Sequence, residues 1–223
     1  MLSIIIPTLN AAARLGAVLG GLRDLPFPAE VVVVDANSAD ATARIARAFG
    51  VRLVQGPPGR GRQLAAGAGV AAGDWFLFLH ADTRLQAGWA EAAGDFMSDP
   101  DRRFYAGYFR FALDDDHPAA RRIEDLVAWR CRTLALPYGD QGLLISRAFH
   151  DHLGGFRPLV LMEDVDLVRR IGARRLVPLG AAAVTSAERY RRDGWWLRPA
   201  RNLCCLGLYL MGLPPAWIAR VYR

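Results

Sequence analysis

Continuous apolar runs in the first eighty residues constrain this fold more than any other feature of the chain. Residues 2–6, 30–34 and 75–79 are apolar apart from Ser3 and the leading Glu30, and residues 51–54 form a shorter run interrupted by Arg52. A strand that is apolar at every position is buried on both faces. The stretches between them, residues 11–22, 39–49 and 62–72, have helical composition. Strands alternating with helices predict an α/β chain with a parallel sheet and helices on both faces. Pro7 is expected to stop the first strand, because proline donates no backbone hydrogen bond.

The second half is less regular. Residues 104–113 and 138–146 read as further strands, 119–134 and 162–171 as helices, and 175–178 and 182–186 as two short strands. Residues 195–213 read as one apolar helix with Arg at its near end, a C-terminal amphipathic helical tail. With 52% hydrophobic and 22% charged residues over 223 positions, the chain is globular and suits one domain with an appendage.

Charge sharpens this division. The formal net charge is +6, and residues 189–223 carry all of it, with seven Arg against one Asp. A neutral body lacks the basic stripe of a nucleic-acid binder, and a basic tail has a local task. All 28 basic residues are Arg. Without Lys, the chain cannot be a P-loop enzyme, a protein kinase or a Schiff-base enzyme. Three Cys in no paired or zinc-type spacing indicate a reducing, cytosolic compartment. The first apolar run follows no basic segment, unlike a signal peptide.

Ligands of an open parallel sheet bind beyond the C-terminal ends of its strands. Pro7-Thr8-Leu9-Asn10 follows the first strand, Asp35-Ala36-Asn37-Ser38-Ala39-Asp40 the second, and His80-Ala81-Asp82-Thr83 the fourth. Asp40 reads equally as a helix cap. Asp82 is the leading candidate ligand for Mg²⁺ or Mn²⁺, with a helix cap as the competing role, and His80 is a candidate second ligand or base stacker. Gly59-Arg60-Gly61-Arg62-Gln63 offers two guanidinium groups and backbone amides to a diphosphate. Glu163-Asp164-Val165-Asp166 crowds three carboxylates at a helix start. The macrodipole accounts for that placement, and a general base is the functional alternative.

Together these segments resemble family 2 glycosyltransferases of the GT-A fold. Ile4 to Asn10 is similar to the family's opening strand, and Val33 to Thr42 to its nucleotide-binding segment. Phe78 to Thr83 is similar to its DxD region, and Glu163-Asp164 to its base motif. The resemblance covers about residues 1–187, leaving 188–223 as the tail. It implies a UDP- or GDP-sugar donor and inverting transfer to an acceptor hydroxyl. By it, Asp35 and Ser38 face the nucleoside and Asp82, with His80, holds Mn²⁺ or Mg²⁺ on the diphosphate. Asp164 takes the acceptor proton with Glu163 beside it, and Asp140 and Gln141 line the acceptor side. His80 stands where DxD has its first Asp, and the Gln-x-x-Arg-Trp motif of processive members is absent, which implies single transfer. The His-Ala-Asp-Thr form with the Arg60/Arg62 loop resembles a small bacterial subgroup.

Two other readings compete: a sugar-phosphate nucleotidyltransferase, and a non-catalytic module that binds a membrane surface. The first expects a Gly-rich loop where Pro7-Thr8-Leu9-Asn10 stands. In the tail, Arg189 and Arg192 are candidate diphosphate contacts. Residues 203–213 are apolar but reach about 16 Å, and a bilayer core needs about 30 Å. The tail is therefore either an interfacial anchor, which would suit a lipid-linked acceptor, or a helix packed on the domain or in a homodimer interface.

Overall fold

The computed structural model describes residues 1–222. The first half runs β1 (Leu2–Thr8), α1 (Ala12–Gly20), β2 (Ala29–Asp35), α2 (Thr42–Ala48), β3 (Arg52–Gln55), α3 (Arg60–Val70) and β4 (Trp75–Phe78). The second runs β5 (Thr83–Leu85), α4 (Trp89–Ser98), β6 (Ala106–Leu113), α5 (Pro118–Leu134), β7 (Leu143–Ser146), α6 (Arg147–His152), α7 (Glu163–Ile171) and β8 (Leu176–Thr185). Three helices close the chain: α8 (Glu188–Asp193), α9 (Leu197–Leu210) and α10 (Pro215–Tyr222).

The strands make one sheet of eight, in the order β3-β2-β1-β4-β7-β6-β8-β5. The first four are parallel, and so are β6 and β8. Strand β7 runs antiparallel between β4 and β6, and β5 is antiparallel to β8. The sheet is thus mostly parallel, with helices on both faces, as expected.

Alternating side chains of β1 explain its unbroken apolarity. Leu2, Ile4 and Ile6 pack with α1 and α4 on one face, whereas Ile5 packs with α3, α6 and α7 on the other. Each fully buried residue of this kind stabilises the fold by about 1.5–3 kcal/mol. The one polar residue inside the strand, Ser3, is matched by Glu30 and the Gly73 N–H.

Pro7 does not end β1. It lies within the strand, opposite Val34 of β2. Its ring is tolerated because odd residues of β1 face β4, and that pairing stops at Ile5↔Phe78. Residues 175–178 and 182–186 are likewise not two strands. They join in β8, whose register against β6 shifts between Tyr108 and Arg110. The tail is three helices rather than one. Cys205 and Leu206 of α9 and Ile218 of α10 pack on Val165 and Val168 of α7. Pro214-Pro215 ends α9's apolar run, but Pro215 also opens α10, since proline is suited to a first helical turn.

Helix α3 crosses β1 and β2 at close range through its glycines. A Cβ on Gly67 would lie 2.4 Å from Ile5 Cγ2 and 3.0 Å from Val34 Cγ2, whereas one on Gly69 would meet nothing within 4 Å. Both positions gain about 1 kcal/mol of helix propensity on going to Ala, but overpacking a core costs about 1–3 kcal/mol. Gly69→Ala is therefore expected to raise the urea midpoint, and Gly67→Ala to lower stability by up to about 2 kcal/mol.

Candidate active site

The C-terminal ends of β1 and β2 are held by a polar network. Thr8 Oγ1 donates to Asp35 Oδ1 at 2.9 Å, and the Ser38 hydroxyl and N–H also donate to the Asp35 carboxylate. Ser38 Oγ accepts the Asn10 N–H, and Asn10 Oδ1 accepts the Ala39 N–H. Both Asn10 and Asn37 take left-handed backbone, which Asn tolerates better than other residues with side chains. Gln63 of α3 closes the network, its amide donating to the Thr8 and Val34 carbonyls at 2.9 and 2.8 Å.

Above these ends lies a cavity of about 620 Å³. Pro7, Thr8, Leu9 and Asn10 form one wall and His80, Ala81 and Asp82 another. Arg60, Gln63, Ser186 and Arg189 complete it. An ion pair between Arg14 of α1 and Glu188 of α8 joins two residues of its rim. A second cavity of about 100 Å³ shares Arg60, His80, Asp82, Ser186 and Arg189 with the first. Asp140, Asp164 and Thr185 line its polar part, and Leu161, Met162 and Val165 its apolar part.

Asp164 sits in the first turn of α7, with Oδ2 accepting the Gly139 N–H and Oδ1 the Val165 N–H, both at 2.8 Å. Its neighbour Glu163 is 1% exposed and pairs with Arg60 Nε at 2.8 Å. Burial pushes the Glu163 carboxyl up, and the Arg60 guanidinium opposes that shift. Met162, which caps α7, takes the left-handed region at φ 66°. His80 presses against Gly139, where a Cβ would lie 2.7 Å from Nε2. Burial, then the charge of Arg60, lowers His80 to about 4, so the imidazole is neutral at pH 7.

The structure thus brings Pro7, Thr8, Leu9, Asn10, Arg60, Gln63, His80, Ala81, Asp82, Asp140, Asp164 and Arg189 to one site. Other expected residues stand elsewhere. Arg62 is exposed and lines neither cavity, because two positions along a helix turn a side chain to the far face. Arg192 is turned to Asp193. Asp35 is 1% exposed and its carboxylate is engaged by Thr8 and Ser38. Gln141 lies behind the wall, its amide donating to the Phe109 carbonyl and accepting the Tyr138 N–H. Asp82 caps no helix, since β5 follows it, whereas Asp40 does cap, accepting the Ala12 and Thr42 N–H groups.

Sequence reading missed Thr185 and Ser186, although they close β8 and obey the same strand-end rule. It also missed Tyr190, Arg198 and Asn202, which line the smaller cavity from α8 and α9. No motif marks these three.

The sheet order and helix layers are those of the GT-A fold. The chain belongs to glycosyl transferase family 2, whose model matches residues 3–158. A PGL/p-HBAD biosynthesis glycosyltransferase of Mycobacterium bovis is 42% identical over 93 residues, 38% of this chain and 36% of that relative. The chain therefore spans about a third of that curated relative's length. S. aureus TarS (residues 1–349), solved with UDP, superposes with TM-score 0.66 at 17% identity over 99% of this chain and 69% of its own. The mannosyltransferase PcManGT of Pyrobaculum calidifontis, solved with GDP-Man and Mn²⁺, gives 0.61 at 18% identity over 90% and 59%. Among the described residues no helix is long and apolar enough to cross a membrane.

Asp140 offers a direct test of the site's electrostatics. Burial, then the nearby Asp164 and Asp82, raises it to about 6 against the opposing pull of Arg130. Between 3.8 and about 6 the folded chain holds a proton that the unfolded chain has lost, so stability falls as pH rises through that window. Asn mimics the protonated form. Asp140→Asn should be more stable than the native chain by about 3 kcal/mol at pH 7, with the difference fading between about pH 6 and pH 4, as read by denaturant titration.

Proposed function

We propose that this glycosyltransferase takes a UDP- or GDP-sugar as donor and transfers its sugar, with inversion, to an acceptor hydroxyl. The observation that carries this is the meeting of two cavities on Arg60, His80, Asp82, Ser186 and Arg189, with Asp164 in the smaller one. The larger has the volume of a nucleotide-sized ligand site. Solved proteins of this fold bind UDP and GDP-Man, which supports the donor class.

The acceptor oxygen attacks the anomeric carbon from the face opposite the diphosphate. Its proton passes to the Asp164 carboxylate, and the bond from the anomeric carbon to the diphosphate oxygen breaks with the electron pair leaving on that oxygen. The two backbone N–H groups on Asp164 fix the direction in which it receives the proton. Glu163 orients Arg60 rather than taking the proton, and Arg60 and Arg189 meet the diphosphate.

A divalent cation fits this donor set. Asp140 Oδ1 is buried without a hydrogen-bond partner beside Asp82 and Asp164, and a third carboxylate in such a place favours a counter-ion. Among the described residues no group of three His, Cys, Asp or Glu is arranged as a ready-made metal site. Mg²⁺ and Mn²⁺ suit such a site, because they take one or two carboxylates and complete their shell from phosphate and water. Asp82, with His80 beside it, would hold the ion, which when bound neutralises charge on the departing diphosphate. The unpaired cysteines accord with a cytoplasmic location.

A thermal-shift screen of UDP- and GDP-sugars with and without Mn²⁺ tests the donor. One sugar nucleotide is expected to raise the melting temperature, and to do so more with the metal. Asp164→Asn should retain that shift and lose transfer by about 10²–10⁴-fold. Native turnover by this variant would remove Asp164 as the base.

A further inference from the structure

Helix α9 is apolar on its outward side as well as on part of its inward side. Arg198, 7% exposed, and Asn202 face inward to the smaller cavity, and Cys205 and Leu206 face inward to α7. The outward side holds Trp196 just before the helix, then Leu197, Ala200, Leu203, Cys204, Leu210 and Met211. That spacing follows a helical stripe, and no charged residue interrupts it. Trp196 is 68% exposed, Leu203 64% and Met211 72%. Trp217 and Val221 of α10 extend the exposed apolar surface. A surface helix of a globular protein normally turns its apolar stripe to the core.

We propose that this stripe seats in the surface of an anionic lipid bilayer. Helix α9 is about 21 Å long, too short to cross a bilayer and suited to lying along it. Arginines border the stripe: Arg122 stacks over the Trp196 ring at 5.9 Å, Arg192 is exposed on α8, and Arg220 is exposed on α10. Trp at the edge of an apolar face with Arg around it matches the headgroup layer of an anionic leaflet. A second copy of the chain fits less well, since two-fold pairing of one stripe on itself brings the same Arg residues face to face. Helix α9 is then shared, its polar side lining the cavity of Asp164 and its apolar side resting on lipid.

Co-sedimentation of the full chain with phosphatidylcholine vesicles, with and without one-quarter phosphatidylglycerol, tests this. The chain should pellet with the anionic vesicles, and less with raised salt. The double variant Leu203→Glu/Met211→Glu changes two exposed side chains, so its melting temperature should stay unchanged while partitioning weakens by about tenfold or more. A native chain that stays in the supernatant with both vesicle types overturns the proposal, as does a variant that pellets like the native chain. A native dimer in light scattering that the variant abolishes, without vesicle binding, would give the stripe to a second copy and overturn it too. Calorimetry with UDP- and GDP-sugars on the same samples separates the two proposals. Loss of donor binding with intact vesicle binding counts against the donor assignment alone.

Discussion

The buried pair of Arg60 and Glu163 is the contact on which the site depends. Arg60 is the first residue of α3, which rests on β1 and β2, and Glu163 is the first residue of α7, which belongs to the other half of the sheet. Their 2.8 Å contact joins the two halves at the point where the two cavities meet. A carboxylate that is 1% exposed is stable only beside a cation, and removing either partner of such a pair costs about 3–5 kcal/mol. The close approach is prepared by Gly61, where a Cβ would lie 2.4 Å from the Arg157 carbonyl and 3.2 Å from Glu163 Cβ. Asp164 owes its position to this contact, because fixing Glu163 fixes the turn in which Asp164 sits.

A second constraint acts at the strand ends. Parallel strands diverge where they stop pairing, and their last carbonyls need donors. Gln63 supplies two from a single amide, and Asp35 gathers Thr8 and Ser38. This keeps the cavity floor rigid without filling it. It also recasts the strand-end residues. Some of the polar groups there serve the floor, and the open face is left to Thr8, Asn10, Asp82 and the arginines.

What the amino-acid order made legible follows from the range of the interactions involved. The β1–β4 half was readable because β1, β4 and the second half of β2 are buried on both faces, and β1, β2 and β3 are each followed by a helix. Pro7 was misread because its tolerance depends on where β4 stops pairing, a property of the partner strand. Residues 176–185 were split at Pro178 and Gly180, which break a strand locally but here sit where the pairing with β6 shifts register. Asp82 and Asp164 could be found from position alone, since strand ends and helix starts are local features. Arg62 and Arg60 could not be told apart, because which one faces the site depends on the residue at which α3 begins. Tyr190, Arg198 and Asn202 reach the site only through the packing of the tail on α7, and no local signal carries that information.

The absence of Lys can now be weighed against the charges that line the site. Arg14 is paired with Glu188, Arg60 with Glu163 and Arg198 with Asp193. Arg189 lines both cavities, and it shares the smaller one with Asp82, Asp140 and Asp164. Burial, and then the charges of Asp164 and Asp82, lift Asp140 to about 6 against the pull of Arg130 and Arg60. A diphosphate adds further negative charge to the same space. Lysine, a compact point charge on a flexible stem, is absent from the chain, so arginine, whose planar fork matches phosphate oxygens, carries the positive charge of the site. On the proposed donor reading, a divalent ion held by Asp82 would offset the diphosphate's charge, beside Arg60 and Arg189.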